Sequence, residues 1–191
     1  YTGPVEIGKS ARFRATALRE GGENASYSRE FAFSKSTGRP AVLNTKPNDS
    51  YTFEGASLLV DGYHSRPVFT SGAWLGYLDE PLDVTIDMGG EQSYRSVELE
   101  TLAEKGDWIF PPSSVTVWVS DNGTDFTEVA SVAVPEAKAG DADGIGRYRM
   151  QFPETSARYL KVVAQNAAAI PAWHPGAGSK GFLFVDEVVV E

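Results

Sequence analysis

The chain has 191 residues, which suits one full domain plus a smaller unit, and its 41% hydrophobic and 12% aromatic content argues against disorder. The formal net charge of -9 opposes binding to nucleic acid or to an anionic membrane surface, since both require clustered Lys and Arg. Without cysteine there is no disulfide or thiolate metal site, and no apolar run approaches the roughly 20 residues of a membrane span.

The N-terminal part predicts a short β unit. Ala11 to Leu18 and Tyr27 to Phe33 alternate apolar and polar residues, and the glycines of Glu20-Gly21-Gly22-Glu23-Asn24 permit a hairpin turn between them. Two or three strands are too few for a closed core. The opening Tyr1-Thr2-Gly3-Pro4 is turn-like, and we expect an excised or processed piece whose targeting signal lay upstream.

A polar connector from Ser34 to Pro40 separates this unit from a longer one, so we divide the chain into residues 1–40 and 41–191. In the longer unit, residues 82–88 and 115–119 alternate apolar and polar side chains, and further strands follow after an Asn122-Gly123 turn. Short strands at this spacing predict an all-β antiparallel sandwich.

Catalytic motifs are sparse. The chain has two histidines, His64 and His174, and contains no nucleophile elbow, Walker loop or H-E-x-x-H motif. Same-face carboxylate pairs, Asp83 with Asp87 and Glu98 with Glu100, are interpreted as the solvent side of their strands. We therefore expect this fragment to have no enzyme activity of its own.

The C-terminal strand carries Asp186 and Glu187 in an apolar run, so one carboxylate points toward apolar neighbours whichever face is buried. Such a group is costly unless it is paired, protonated or bound to a cation. Glu187 is thus a candidate calcium ligand, and Asp61 could add an oxygen from a turn whose backbone carbonyls complete the shell. Alternatively, Glu187 pairs with an arginine and Asp61 caps its turn.

Two predicted loops carry aromatic residues that could contact a ligand. Trp173 and His174 lie in a Pro- and Gly-rich segment, and Trp108 lies in a second segment of similar character. A tryptophan face can stack on the C–H surface of a sugar while histidine orients its hydroxyl groups, so their convergence would form a sugar platform. Alternatively, both tryptophans plug the ends of the sandwich. Trp118, flanked by valines, is interpreted as structural.

Several segments together resemble the discoidin-like, coagulation factor 5/8 type C domain: Leu59-Val60-Asp61-Gly62, Trp74-Leu75-Gly76-Tyr77, Val84-Thr85-Ile86-Asp87-Met88-Gly89, Ala157-Arg158-Tyr159-Leu160-Lys161-Val162 and Val185-Asp186-Glu187. Two more, Trp108-Ile109-Phe110-Pro111 and Trp173-His174-Pro175-Gly176-Ala177-Gly178, narrow the resemblance to the C-terminal module of bacterial family 20 β-N-acetylhexosaminidases. Residues 1–40 resemble the end of the chitobiase/hexosaminidase immunoglobulin-like domain that precedes this module.

The resemblance implies a jelly-roll, discoidin-like sandwich over 41–191, often with structural calcium, and loops at one end that bind galactose-like or amino sugars. Asp61 and Glu187 match the family's calcium carboxylates, and Trp108, Trp173 and His174 are the candidate sugar contacts. The expected function is a carbohydrate-binding accessory module of a secreted, periplasmic or cell-surface bacterial glycoside hydrolase, with a glycan and its own catalytic domain as partners. A structural module packed on that domain, or an adhesion module, are the alternatives.

Overall fold

The structure is a computed structural model that describes residues 3–22 and 24–191. Tyr1 and Thr2 of the opening motif and Glu23 of the first turn lie outside the described residues. Short 3-10 helices separate some of the strands, and no helix in the described ranges is long and apolar enough to cross a membrane. The strands are β1 (Ala11–Ala17), β2 (Ala25–Phe31), β3 (Ala41–Leu43), β4 (Leu75–Tyr77), β5 (Leu82–Ala103), β6 (Ser114–Ser120), β7 (Thr127–Ala133), β8 (Gly144–Gln165) and β9 (Leu183–Val190).

Strands β1 and β2 form the expected antiparallel hairpin, with Ala11 opposite Phe31. Its alternating apolar residues stay open to solvent, because the hairpin pairs with no third strand in the described residues; Phe13 and Tyr27 are both exposed. In the described part of the chain, the hairpin meets the sandwich around Gly62 and Tyr63. The N–H of Ala32 donates to the carbonyl of Gly62 at 2.7 Å, and the Arg29 guanidinium lies 3.7 Å from the centre of the Tyr63 ring.

Residues beyond the hairpin form the predicted all-β antiparallel sandwich. Strands β5 and β8 each have 22 residues and pair along most of their length, and breaks in register occur between Asp87 and Gln92 and between Tyr94 and Ser96. On one side of these breaks β5 and β8 continue into a sheet with β3, β6 and β7. On the other side they continue into a sheet with β9 and β4.

The alternation of β5 decides which residues fill the core. Leu82, Val84, Ile86 and Met88 are fully buried, while the residues between them are half-buried. A second, smaller cluster near the loops is centred on Trp74, whose Nε1 donates to the carbonyl of Arg66 at 3.0 Å. This anchored indole holds the 66–74 loop against the sandwich.

The polar connector is part of the sandwich rather than a free linker. Ser36 is fully buried, and its Oγ donates to the carbonyl of Val188 at 2.5 Å. The N–H of Lys35 donates to the carbonyl of Val190 at 3.0 Å. The connector therefore lies alongside β9, just before the chain enters the sandwich at β3.

Candidate functional site

Trp108 follows a 3-10 helix, Lys105–Asp107, and adopts a left-handed backbone conformation with φ of 64°. This conformation is uncommon for a residue with a side chain and persists only where neighbours hold it. Here the Trp108 N–H donates to the carbonyl of Lys105 at 3.0 Å, and its own carbonyl accepts from Phe182 at 2.8 Å. The side chain stays 42% exposed, so Trp108 does not plug the sandwich.

Trp173 lies in the loop between β8 and β9 and is 40% exposed. Its Nε1 donates to the carbonyl of Ala137 at 2.9 Å, and its ring lies 6.3 Å from the Phe110 ring. These contacts fix the edge of the indole and leave part of its surface open to solvent. The structure thus brings both predicted loop tryptophans to one end of the sandwich.

His174 lies between the two tryptophans, edge-on to Trp108 at 6.0 Å and to Trp173 at 5.5 Å between ring centres. It is buried, its Nδ1 accepts from the Gly176 N–H at 3.0 Å, and its Nε2 donates to the Lys105 carbonyl at 2.9 Å. We expected His174 to orient sugar hydroxyl groups, but both of its ring nitrogens already form hydrogen bonds within the protein. The hydrogen bond from His174 to Lys105 ties the two tryptophan loops together.

Lys105 is a further member of this end that sequence reasoning missed. It is buried, forms an ion pair with Asp143 and donates from Nζ to the carbonyl of Asp141 at 2.9 Å. Burial opposes ionisation of Asp143, but the hydrogen bonds from Lys105 lower the pKa of Asp143. The pair fastens the segment of residues 135–144, most of which are exposed, to the Trp108 loop.

A group of buried carboxylates lies away from the tryptophans. Asp186 and Glu187 are both buried, and each accepts one backbone hydrogen bond, from Ser65 at 2.8 Å and from Gly62 at 3.2 Å. Burial, followed by nearby carboxylates, raises the pKa of Glu187 to about 10, and burial is also the main cause that raises the pKa of Asp186 to about 8. The Oε1 atom of Glu187 is buried with no partner in the described ranges.

Asp61 lies at the turn that covers Glu187. Its Oδ1 accepts from the Tyr63 N–H at 2.7 Å, so Asp61 caps its own turn. Burial raises the pKa of Asp61, and its charge in turn contributes to the raised pKa of Glu187. Within residues 3–22 and 24–191, no three His, Cys, Asp or Glu side chains gather in the geometry of a metal site. A cation at this turn would therefore need backbone oxygens as well as these two carboxylates.

The interpretation of Glu100 as a solvent-facing residue was wrong. Glu100 is 1% exposed, and its Oε2 accepts from Arg147 at 2.7 Å and lies 2.9 Å from Nδ1 of His64. Strand alternation distinguishes two faces but does not show that the His64 loop covers this one. The other predicted pair behaves as expected, because Asp87 remains partly exposed and accepts from Arg158 at 2.8 Å.

A cavity of about 340 Å³ lies beside the tryptophan loops. Three chain segments line it, residues 110–113, 134–137 and 167–172. Ser113 joins them at their base, since its N–H donates to Gln165 at 2.8 Å and its carbonyl accepts from Val134 at 2.9 Å. Sequence reasoning did not identify this cavity, because its lining consists mostly of prolines and alanines without a periodic pattern.

Solved structures with a similar fold include carbohydrate-binding modules. A chitosan-binding module from a Paenibacillus sp. IK-5 chitosanase/glucanase is 16% identical, with a TM-score of 0.52 over 82% of this chain and 96% of that chain. A Clostridium perfringens module in complex with GalNAc-beta-1,3-galactose is 16% identical, with a TM-score of 0.52 over 79% and 93%. At this identity the likeness concerns the fold alone.

The second chitosan-binding module of the Paenibacillus sp. IK-5 enzyme, in complex with chitotriose, is 17% identical, with a TM-score of 0.52 over 82% of this chain and 98% of that chain. Comparison with curated proteins found no match. The sequence model of the F5/8 type C domain matches residues 44–180, which is most of the chain and contains the Asp61 turn and both tryptophan loops. The chain therefore belongs to the F5/8 type C domain family.

Proposed function

We propose that this chain is a non-catalytic accessory module that binds a glycan, with the Trp108 and Trp173 side chains as its platform. The observation that carries the proposal is the pair of partly exposed indoles packed against one buried histidine, His174. Both rings pack against His174, and the Trp173 ring is also hydrogen-bonded to the carbonyl of Ala137. Little side-chain entropy is therefore lost when a sugar stacks on them.

An amino sugar or a galactoside is the ligand class that we propose. Structural relatives bind chitosan, chitotriose and GalNAc-beta-1,3-galactose, which supports this choice. The net charge of -9 is compatible with neutral or cationic sugars and disfavours anionic ones. Binding of this kind would concentrate an attached enzyme at a polymer or cell-surface glycan.

Calorimetric titration with N-acetylglucosamine, N-acetylgalactosamine, galactose and chito-oligosaccharides tests the proposal. We expect saturable binding that Trp173→Ala reduces by about tenfold or more, since stacked aromatic anchors dominate such sites. Tyr27→Ala removes an exposed aromatic ring from the hairpin and serves as the matched control. Absence of binding to every one of these sugars would reject the glycan-binding function.

We further propose that the module serves a secreted bacterial β-N-acetylhexosaminidase, acting beside that enzyme's catalytic domain. The Trp108 and Trp173 segments, which resemble the C-terminal module of those enzymes, support this context. The isolated chain should not hydrolyse an aryl N-acetylglucosaminide, and turnover by the chain alone would contradict the proposal.

We also propose structural calcium at the Asp61 turn. The unpartnered Oε1 of Glu187 lies beneath this turn and close to the charge of Asp61, an arrangement that fits a cation with oxygen ligands. Asp61 and Glu187 would hold the ion together with backbone oxygens near residues 59–66. Its chemistry there would be to balance the charge of the carboxylates that bind it, with no part in catalysis.

A structural module is the second candidate, and the exposed hairpin favours it. Phe13, Leu18 and Tyr27 leave apolar surface uncovered, which is typical of a surface that packs on another domain. A chain that binds no sugar but whose removal lowers the melting temperature of its parent enzyme would support this function over glycan binding.

A further inference from the structure

The cavity beside the tryptophan loops is lined mainly by small apolar residues. Nine of its fourteen lining residues are proline or alanine, and Val134 and Ile170 add further aliphatic surface. Glu136 is the one ionisable side chain among them, and it is exposed. Small apolar walls accept a methyl group or the C–H face of a ring, whereas a charged group would lose its hydration there without a buried partner.

Hydrogen-bonding groups are present on the cavity's backbone. The prolines contribute no N–H, but the N–H groups of Ala167, Ala168 and Ala169 have no acceptor in the described part of the chain. The hydroxyl of Ser113 donates to the carbonyl of Asn166 at 2.9 Å and keeps its capacity to accept. Apolar walls with backbone amides suit a group that combines a methyl with an amide.

Two of the residues that line the cavity contact Trp173. Ala137, which lines the cavity, accepts the hydrogen bond from the Trp173 indole at 2.9 Å. Phe110, which also lines the cavity, packs against the same indole. A ligand stacked on Trp173 therefore has this cavity as its direct neighbour.

We propose that the cavity is a second sugar subsite, which takes a pyranose bearing an acetamido group while the next sugar of the same oligosaccharide stacks on Trp173. This inference rests on the proposed glycan binding and narrows the ligand to an N-acetylated oligosaccharide. A uronic acid finds no cation among the lining residues, and a free ammonium group would have to leave water for apolar walls.

The test compares triacetylchitotriose, chitotriose and N-acetylglucosamine by calorimetry on wild type, Ala169→Phe and Ala139→Phe. Ala169 is exposed in the cavity wall, so a phenyl ring there fills the cavity without disturbing the core. Ala139 is an equally exposed alanine outside the lining and is the matched control. Melting temperatures establish that both variants are folded.

Ala169→Phe should weaken triacetylchitotriose binding by about tenfold or more, while Ala139→Phe leaves it unchanged. Wild type should prefer triacetylchitotriose over chitotriose. Equal affinity for the two trimers, or an unchanged affinity in Ala169→Phe, overturns the second subsite. If Trp173→Ala still weakens binding in that case, the proposed function stands. A wild type that binds none of these three sugars, and neither N-acetylgalactosamine nor galactose, defeats both.

Discussion

The Nδ1 atom of His64 lies 2.9 Å from Oε2 of Glu100, a carboxylate that is 1% exposed and also paired with Arg147. The hydrogen bond to Glu100 raises the pKa of His64 above its usual 6.5, although burial and the Arg147 charge act in the opposite direction. The loop that carries His64 is therefore fastened to β5 by a bond whose strength depends on protonation.

Stability should therefore depend on pH through His64. A histidine whose pKa is raised in the folded state stabilises the protein fully below its unfolded value, near 6.5, and this contribution is lost as pH rises through the folded value. The melting temperature of wild type should thus fall more steeply above pH 6.5 than that of His64→Gln. Glu100→Gln removes the charge that raises the pKa of His64. In this background, the melting temperatures with and without His64→Gln should therefore have nearly the same pH dependence. Parallel pH profiles for wild type and His64→Gln would contradict this coupling.

Gly176 sets the position of the Trp108 indole. A Cβ atom at residue 176 would lie 2.8 Å from Cζ2 of Trp108, so Gly176→Ala must displace the ring. We expect a shift in tryptophan fluorescence and about a tenfold loss of glycan affinity, because the stacked ring leaves its bound orientation. Gly140→Ala has open space around the new methyl group and should change neither quantity. Unchanged fluorescence in Gly176→Ala would exclude this role for the glycine.

Calcium should stabilise the wild type through Glu187. At a hundredfold excess over the dissociation constant, a ligand of the folded state adds about 2.7 kcal/mol, which raises the melting temperature of a chain this long by about 5 to 10 °C. Glu187→Gln should lose this shift without losing stability in chelator, since it replaces a buried carboxylate that has an unpartnered oxygen. Asp83→Asn, on the solvent side of β5, should keep the shift. If Glu187→Gln keeps the calcium-induced rise in melting temperature, the cation binds elsewhere.

The stack of Arg29 on Tyr63 should control how firmly the hairpin docks on the sandwich. The guanidinium lies 3.7 Å from the ring centre, and a contact of this kind is worth about 1 kcal/mol. In Arg29→Ala, hydrogen exchange at the Ala32 N–H should accelerate by about fivefold, while exchange in the β5 core stays unchanged. Arg14→Ala, whose guanidinium reaches Ser26 within the hairpin, is the control. Equal exchange in all three proteins would refute the docking role.

Strand alternation was sufficient to predict the sandwich, because a sheet with one buried face forces period two on residues such as Leu82 to Met88. The same pattern predicted that one of Asp186 and Glu187 lies among apolar neighbours, whereas the structure buries both. It could not reveal that Glu100 is buried, since the cover comes from the His64 loop, far away in sequence. The cavity was also missed, because prolines and alanines on three separate loops carry no sign of their convergence.

The junction at Ser36 and Val188 has a mechanical consequence. Residues 34–36, through which the chain enters the sandwich, are hydrogen-bonded to β9. Tension between the hairpin and Glu191 would therefore break these hydrogen bonds one after another. Strand β9 would peel away first and take Asp186 and Glu187 with it. Under load the carboxylate turn would open before the tryptophan loops, whose mutual contacts through His174 lie outside that seam.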